Sequence, residues 1–142
     1  MDFVRNSPFI KHLGVKQESV GNGSSLLVLD VRPELMNSLS MAHGGVLMTL
    51  LDLCMTQAAR SVGNPHGEDD VGVITIEMKS TFLQASTGTR IIARGHCVHR
   101  SGSLCFCEGE LHDENERLLA RGSGTFKPIR PRHPSSASAE RK

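Results

Sequence analysis

The sequence predicts an α+β chain in which a curved antiparallel sheet of about six strands is wrapped around one long central helix. Three observations predict it. From Val46 to Ala59 runs a helix-length apolar stretch with almost no polar face, which in a helix has to be covered on nearly every side. Two strand-like runs precede it and four follow, most of them joined by short turn signals. There is no repeat period, and consecutive hairpins argue against a parallel, doubly wound sheet. Curling an antiparallel sheet around the helix reconciles the three.

The elements follow in chain order. Ser7 and Pro8 have the chemistry of a helix cap and first helical position, so FIKHLG reads as a short helix or turn closing one end of the core. Val15–Val20 and Ser24–Val31 are strand candidates around Gly21, Asn22 and Gly23, a hairpin turn. Arg32, Pro33 and Glu34 stop the second strand, and a polar loop through Asn37, Ser38 and Ser40 leads into the helix. After a Gly- and Pro-containing loop, Glu68, Asp69 and Asp70 read as a solvated acidic edge. Strand character returns over Val71–Phe82, Thr89–Arg100, Ser103–His112 and Arg117–Lys127, with Ser101-Gly102 and Asp113–Glu116 as turns. In the first of these, Val73, Thr75 and Glu77 alternate with Ile74, Ile76 and Met78, as in a sheet with one core face and one wetter face. The rest, PIRPRHPSSASAERK, has no apolar pattern, which predicts a domain over residues 1–127 and a disordered tail over 128–142.

Composition narrows the function. Sixteen Lys and Arg against fifteen Asp and Glu leave a net charge of +1 with no basic block, so nucleic acid is not an expected partner. No segment approaches the ~20 apolar residues of a membrane span, and the first residues lack the apolar core of a secretion signal, so a soluble cytoplasmic protein with no membrane partner is expected. The four cysteines form no CxxC pair, which fits reduced thiols packed as small hydrophobes.

Into the apolar helix the sequence places one carboxylate, Asp52, whose ionised form is costly to bury without partners. At the front end Gly44 and Gly45 follow His43, leaving backbone N–H groups with no intrahelical acceptor and no side chains in the way, a place for developing negative charge. Gly44 and Asp52 are eight residues apart. Along one helix that is about 12 Å at roughly 1.5 Å per residue, too far for both to touch one carbonyl. If the two act together, they come from two copies of the helix, antiparallel across a two-fold axis. The competing reading is a buried structural helix whose Asp52 is satisfied locally and whose glycines serve close packing. His43 either bonds backbone near Asn37 or Ser40 or polarises a carbonyl, with an orienting role favoured over proton transfer. His96, Cys97 and His99 with Cys105 and Cys107 do not converge as strand residues, so no metal is expected, and Cys54 is placed too deep for a nucleophile.

HGGVLMTLLD, with Asp52 nine positions after His43 and Asn37 six before it, resembles the signature of the hotdog-fold acyl-CoA thioesterases, in the branch that includes the phenylacetyl-CoA thioesterases. The likeness runs from about Phe9 to Lys127, through VITIEMKSTFLQAS and GELHDENERLLARGSGTF. It implies a hotdog fold and hydrolysis of acyl-CoA to acid and CoA without a cofactor. It implies a homodimer, with pairing into tetramers left open. By the same resemblance the Gly44 amide and Asn37 hold the thioester oxygen, and Asp52 of the other subunit is general base or nucleophile. His43 would shape the turn and Thr75 would position the water. Where the family often has a basic residue after the glycine that corresponds to Gly102, this chain has none, and Arg100 is the nearest candidate for the CoA phosphates. Gly45, Met48 and Met55 are the expected substrate-lining positions. The competing functions are a hotdog dehydratase or hydratase, whose helix start differs, and a non-catalytic acyl-CoA sensor, for which a desolvated base has no use.

Overall fold

A computed structural model describes residues 7–63 and 71–129. The acidic run at 68–70, most of the loop before it and the tail from residue 130 lie outside the described residues. Helix α1 (Pro8–Leu13) begins as expected: the Ser7 side chain accepts the Ile10 N–H at 3.4 Å, Pro8 occupies the first position, and Gly14 ends the helix with φ +83°. Two guanidinium nitrogens of Arg32 donate to the Leu13 and His12 carbonyls (2.6 and 2.7 Å), which fastens α1 to the loop after the second strand.

Strands β1 (Lys16–Gly21) and β2 (Ser24–Asp30) form a hairpin whose two turn residues, Asn22 and Gly23, both have positive φ, the turn that matches strand twist. A long helix, α2 (Gly44–Gly63), follows, then β3 (Gly72–Phe82), β4 (Arg90–Ser101), β5 (Leu104–Asp113) and β6 (Leu118–Ile129). The six strands make one antiparallel sheet in the order β1-β2-β4-β5-β6-β3. The expected hairpins at Ser101-Gly102 and Asp113–Glu116 are present. Between β3 and β4 the chain instead crosses the sheet, leaving β3 on the far edge beside β6. The last strand runs two residues past the expected domain end because Pro128 and Ile129 pair with Val73 and Gly72. With the single long helix on the concave side, this is a hotdog fold.

Three glycines decide how closely helix and sheet approach. Gly95, Gly109 and Gly122 sit opposite one another across β4, β5 and β6, and α2 crosses over them. A Cβ at Gly95 would overlap the backbone carbonyl of Cys54, and one at Gly109 would lie 2.9 Å from the Cys54 Sγ. Ser25 reinforces the crossing by donating its hydroxyl to the Cys54 carbonyl at 2.6 Å. Over this row Leu50, Leu51, Cys54, Met55, Ala58 and Ala59 are fully buried.

Two expectations are corrected by this packing. The helix is not enclosed on every side within one chain: Gly45 and Met48 are exposed and Asp52 and Thr56 half-exposed, so one stripe stays open. In β3, Val73 and Met78 pack on the core while Ile74 and Ile76 stand exposed, because a bulge between Thr75 and Glu77 interrupts the alternation.

Candidate functional site

The loop before α2 is held in shape by Asn37. Its Oδ1 accepts the N–H groups of Leu39 (2.9 Å) and Met41 (3.2 Å), and its backbone N–H donates to the Met41 carbonyl (2.8 Å). Ser40 sits at φ +58° inside this turn. With the oxygen so used, the Asn37 side-chain nitrogen is a donor with no partner among the described residues. The backbone N–H of His43 then donates to the Leu35 carbonyl at 2.9 Å, and α2 begins.

At the helix tip the first amides are not equivalent. The His43 ring accepts the Gly45 N–H on Nδ1 at 2.8 Å, and the His43 carbonyl accepts from Val46 (2.9 Å) and Leu47 (3.1 Å). The Gly44 N–H has no acceptor among the described residues. His43 therefore acts as a cap through its own ring rather than bonding the backbone near Asn37 or Ser40, and a neutral ring so placed carries its proton on Nε2. The Gly45 amide is therefore committed to His43, and a Cβ there would come within 3.1 Å of the ring. A Cβ at Gly44 meets nothing within 4 Å. On that side Gly44 is open among the described residues.

Two turns along, Asp52 lies half-buried on the open stripe. The Thr75 hydroxyl donates to its Oδ1 at 2.6 Å, a short bond of the charge-assisted kind that fixes the carboxylate plane and leaves Oδ2 unpartnered among the described residues. The bulge immediately after Thr75 sits where β3 passes the helix, so the strand's irregularity lies beside this contact. Asp52 and Thr75 are thus brought together, while Gly44 of the same chain stays about 12 Å from Asp52 along the helix at ~1.5 Å per residue.

The tip of α2 divides two grooves. One, of about 340 Å3, is lined by Gly44, Met41, Leu47, Phe82 and Leu83. The other, of about 310 Å3, lies on the His43 and Gly45 side and includes Phe9, Arg32, Val46 and Thr49. Met48, 43% exposed, stays on the open stripe next to Asp52. Met55 does not: it is fully buried against Gly109 and Gly122, so it lines no open cleft in this chain. Arg100 is at the opposite end of α2, donating to the Val62 carbonyl at 3.0 Å.

Cys54 is chemically quiet. Burial pushes its thiol up to about 12, and the nearby Asp52 charge adds to the rise. Burial likewise raises Cys105, to about 11. Among the described residues no group of His, Cys, Asp and Glu gathers as metal ligands, and no helix is long and apolar enough to cross a membrane.

The hotdog scaffold thus carries an open helix-tip amide and, farther along the same helix, a hydrogen-bonded carboxylate, and comparison with known proteins gives the class of protein. The model of the thioesterase superfamily matches residues 39–120, and the chain belongs to that family. A relative from Mycobacterium tuberculosis named "Putative esterase Rv1847" is 25% identical over 125 residues, covering 88% of this chain and 89% of the relative. Among solved structures, a thioesterase family protein from Silicibacter pomeroyi superposes with TM-score 0.82 at 22% identity, covering 92% of this chain and 95% of that one. The Escherichia coli PaaI protein from the phenylacetic acid degradation operon superposes with TM-score 0.79 at 19% identity, covering 89% and 88%. The structural likenesses bear on the fold; the family match sets the general chemistry, hydrolysis of a thioester.

Sequence reasoning missed the groove walls at Phe82 and Leu83 and the wall residue Ser86. The only available signal was a pair of large apolar residues at a strand end, which core packing explains as readily.

Proposed function

We propose that the protein hydrolyses acyl-CoA thioesters at two equivalent sites in a homodimer, each combining Gly44 of one subunit with Asp52 of the partner subunit. The observation that carries this reading is the division of labour along α2: one unpartnered amide at the tip and one fixed carboxylate ~12 Å along the same helix, each on a surface left open in a single chain. Two antiparallel copies of the helix bring one chain's tip to the other's acid. Edge strand β3 adds support, since Ile74 and Ile76 are 47% and 54% exposed beside the open stripe, apolar surface that a second subunit would cover.

In this reading the thioester oxygen lies on the Gly44 N–H, with the Asn37 side-chain nitrogen as a second donor. Oδ2 of Asp52 takes a proton from water, whose oxygen attacks the carbonyl carbon, and charge moves onto the oxygen at the helix tip. The intermediate collapses with cleavage of the C–S bond, and the CoA thiolate leaves with a proton from the aspartic acid. Thr75 holds the carboxylate in line throughout.

Subunit complementation tests the shared site. Gly44→Pro removes the amide at a first helical position where proline is tolerated, and Asp52→Asn removes the base. Each variant alone is expected to release little thiol from acyl-CoA, measured with a chromogenic disulfide over short, medium, long and aromatic acyl groups. Co-refolded one to one, half the dimers are mixed and carry one intact site, so about a quarter of the wild-type activity returns. No recovery, with mixed dimers shown to form, would rule the shared site out.

A further inference from the structure

The groove on the Gly44 side has mainly apolar walls, and Phe82 and Leu83 are 49% and 48% exposed along it. Two polar side chains also line it, Gln84 and Ser86. Gln84 is committed to the sheet: its Nε2 donates to the Leu118 carbonyl (3.1 Å) and its Oε1 accepts twice from Arg117 (2.7 and 3.1 Å). Ser86 is different. It is only 3% exposed, and its Oγ has no hydrogen-bond partner among the described residues. Its backbone carbonyl accepts the Ala42 N–H at 3.0 Å, which pins it beside the start of α2, two residues ahead of the open Gly44 amide. A buried hydroxyl left unpaired is a net loss to stability that alanine at the same place would not incur. Among the described residues nothing uses this one.

We propose that this groove receives the acyl group of the substrate and that the Ser86 hydroxyl pairs with an oxygen on that group close to the thioester carbonyl, making hydroxyacyl or oxoacyl thioesters the preferred class. The proposal rests on the thioesterase reading above. With the carbonyl oxygen on Gly44, the acyl chain leaves along apolar walls past Ser86. An acyl group lacking the oxygen covers the hydroxyl without bonding it, and a site built around a hydrogen bond discriminates against such a substrate.

The test is a matched-pair assay on the full-length protein: butanoyl- against 3-hydroxybutanoyl-CoA, octanoyl- against 3-hydroxyoctanoyl-CoA, and phenylacetyl- against mandelyl-CoA. Each pair differs by one oxygen. In at least one pair the wild type is expected to favour the oxygenated member by about tenfold in kcat/KM, the scale of one buried hydrogen bond. Ser86→Ala, checked for folding by circular dichroism, brings that ratio toward one while hydrolysis of the plain substrate is kept or raised. A wild type without preference, a ratio unchanged in Ser86→Ala, or an equal loss on both members overturns the proposal. Thiol release from plain acyl-CoA upholds the hydrolase reading whichever way the ratio falls. Its absence from every substrate overturns that reading and this one with it.

Discussion

Helix α2 has two sides that obey different rules. On the sheet side, Leu50, Leu51, Cys54 and Met55 are fully buried over the Gly95–Gly109–Gly122 row. On the open side Met48 is 43% exposed, and among the described residues Asp52 has only Thr75 as a hydrogen-bond partner and the tip amide of Gly44 has none. The first side is optimised to the point where a single added carbon does not fit. The second keeps a charge, an open donor and apolar surface that a stability-driven design would have removed. Under the proposed function, a helix so closed on one face and so open on the other is a rigid mount for groups whose partners come from outside the chain.

Substitutions on the two faces should therefore separate stability from activity. The largest effect belongs to the open side: Asp52→Asn is expected to lower kcat by ~10^2 to 10^4, the range for loss of a general base, with the melting temperature nearly unchanged. Near-normal turnover would remove Asp52 from the chemistry and erase the contrast. A single turnover in 18O-water sharpens the role, since a base places label in the first acid released whereas a nucleophilic carboxylate first delivers its own oxygen.

Next comes the sheet side. In Gly95→Ala the new Cβ must displace the Cys54 backbone, which should cost about 3 kcal/mol. For a chain of this size that is roughly 10 °C in Tm, with turnover per folded molecule little altered at low temperature. If thermal unfolding showed no such loss, the glycine row would not control the approach of helix to sheet.

Thr75→Val stands between the two. It removes the hydroxyl from Asp52 and keeps the shape, and about a tenfold fall in kcat with little change in KM is expected from the loss of one positioning hydrogen bond. A fall in Tm without a fall in kcat would move Thr75 to the structural side.

The smallest effect lies away from both faces. The Glu114 carboxylate accepts the N–H groups of Thr89 and Arg90, each at 3.2 Å. These bonds, with that to its own amide as the largest contributor, hold its pKa below the usual 4.5. A carboxyl lowered on folding adds stability above its unfolded value, and that stability is lost as pH falls through the folded one. Glu114→Gln should thus be slightly less stable at neutral pH. The gap should close in acid below about pH 4.5, followed by chemical denaturation across that range; a gap independent of pH would contradict the assignment.

The parts of the site that could be read early were those in conflict with their surroundings. Asp52 stood out because an apolar run has no use for a carboxylate, and Gly44 because paired glycines at a helix start leave amides open. Thr75 was reached through family resemblance alone, since a threonine in a strand is unremarkable. Met48 and Met55 show the limit: seven residues apart, they lie on nearly the same line of the helix, yet one is 43% exposed and the other fully buried.

By itself the sequence determined local matters: where α1 and the hairpins turn, which stretch becomes the long helix, and which polar groups that helix carries. These follow from backbone conformation and periodicity, which act over a few residues. Only the tertiary structure decided that β3 crosses to the far edge, that Gly95, Gly109 and Gly122 fall into one row, that His43 takes the Gly45 amide and leaves Gly44 open, and that Ser86 is buried beside it. Each of these depends on strand register and on contacts between residues distant in the chain, and pattern within a single segment carries no record of either.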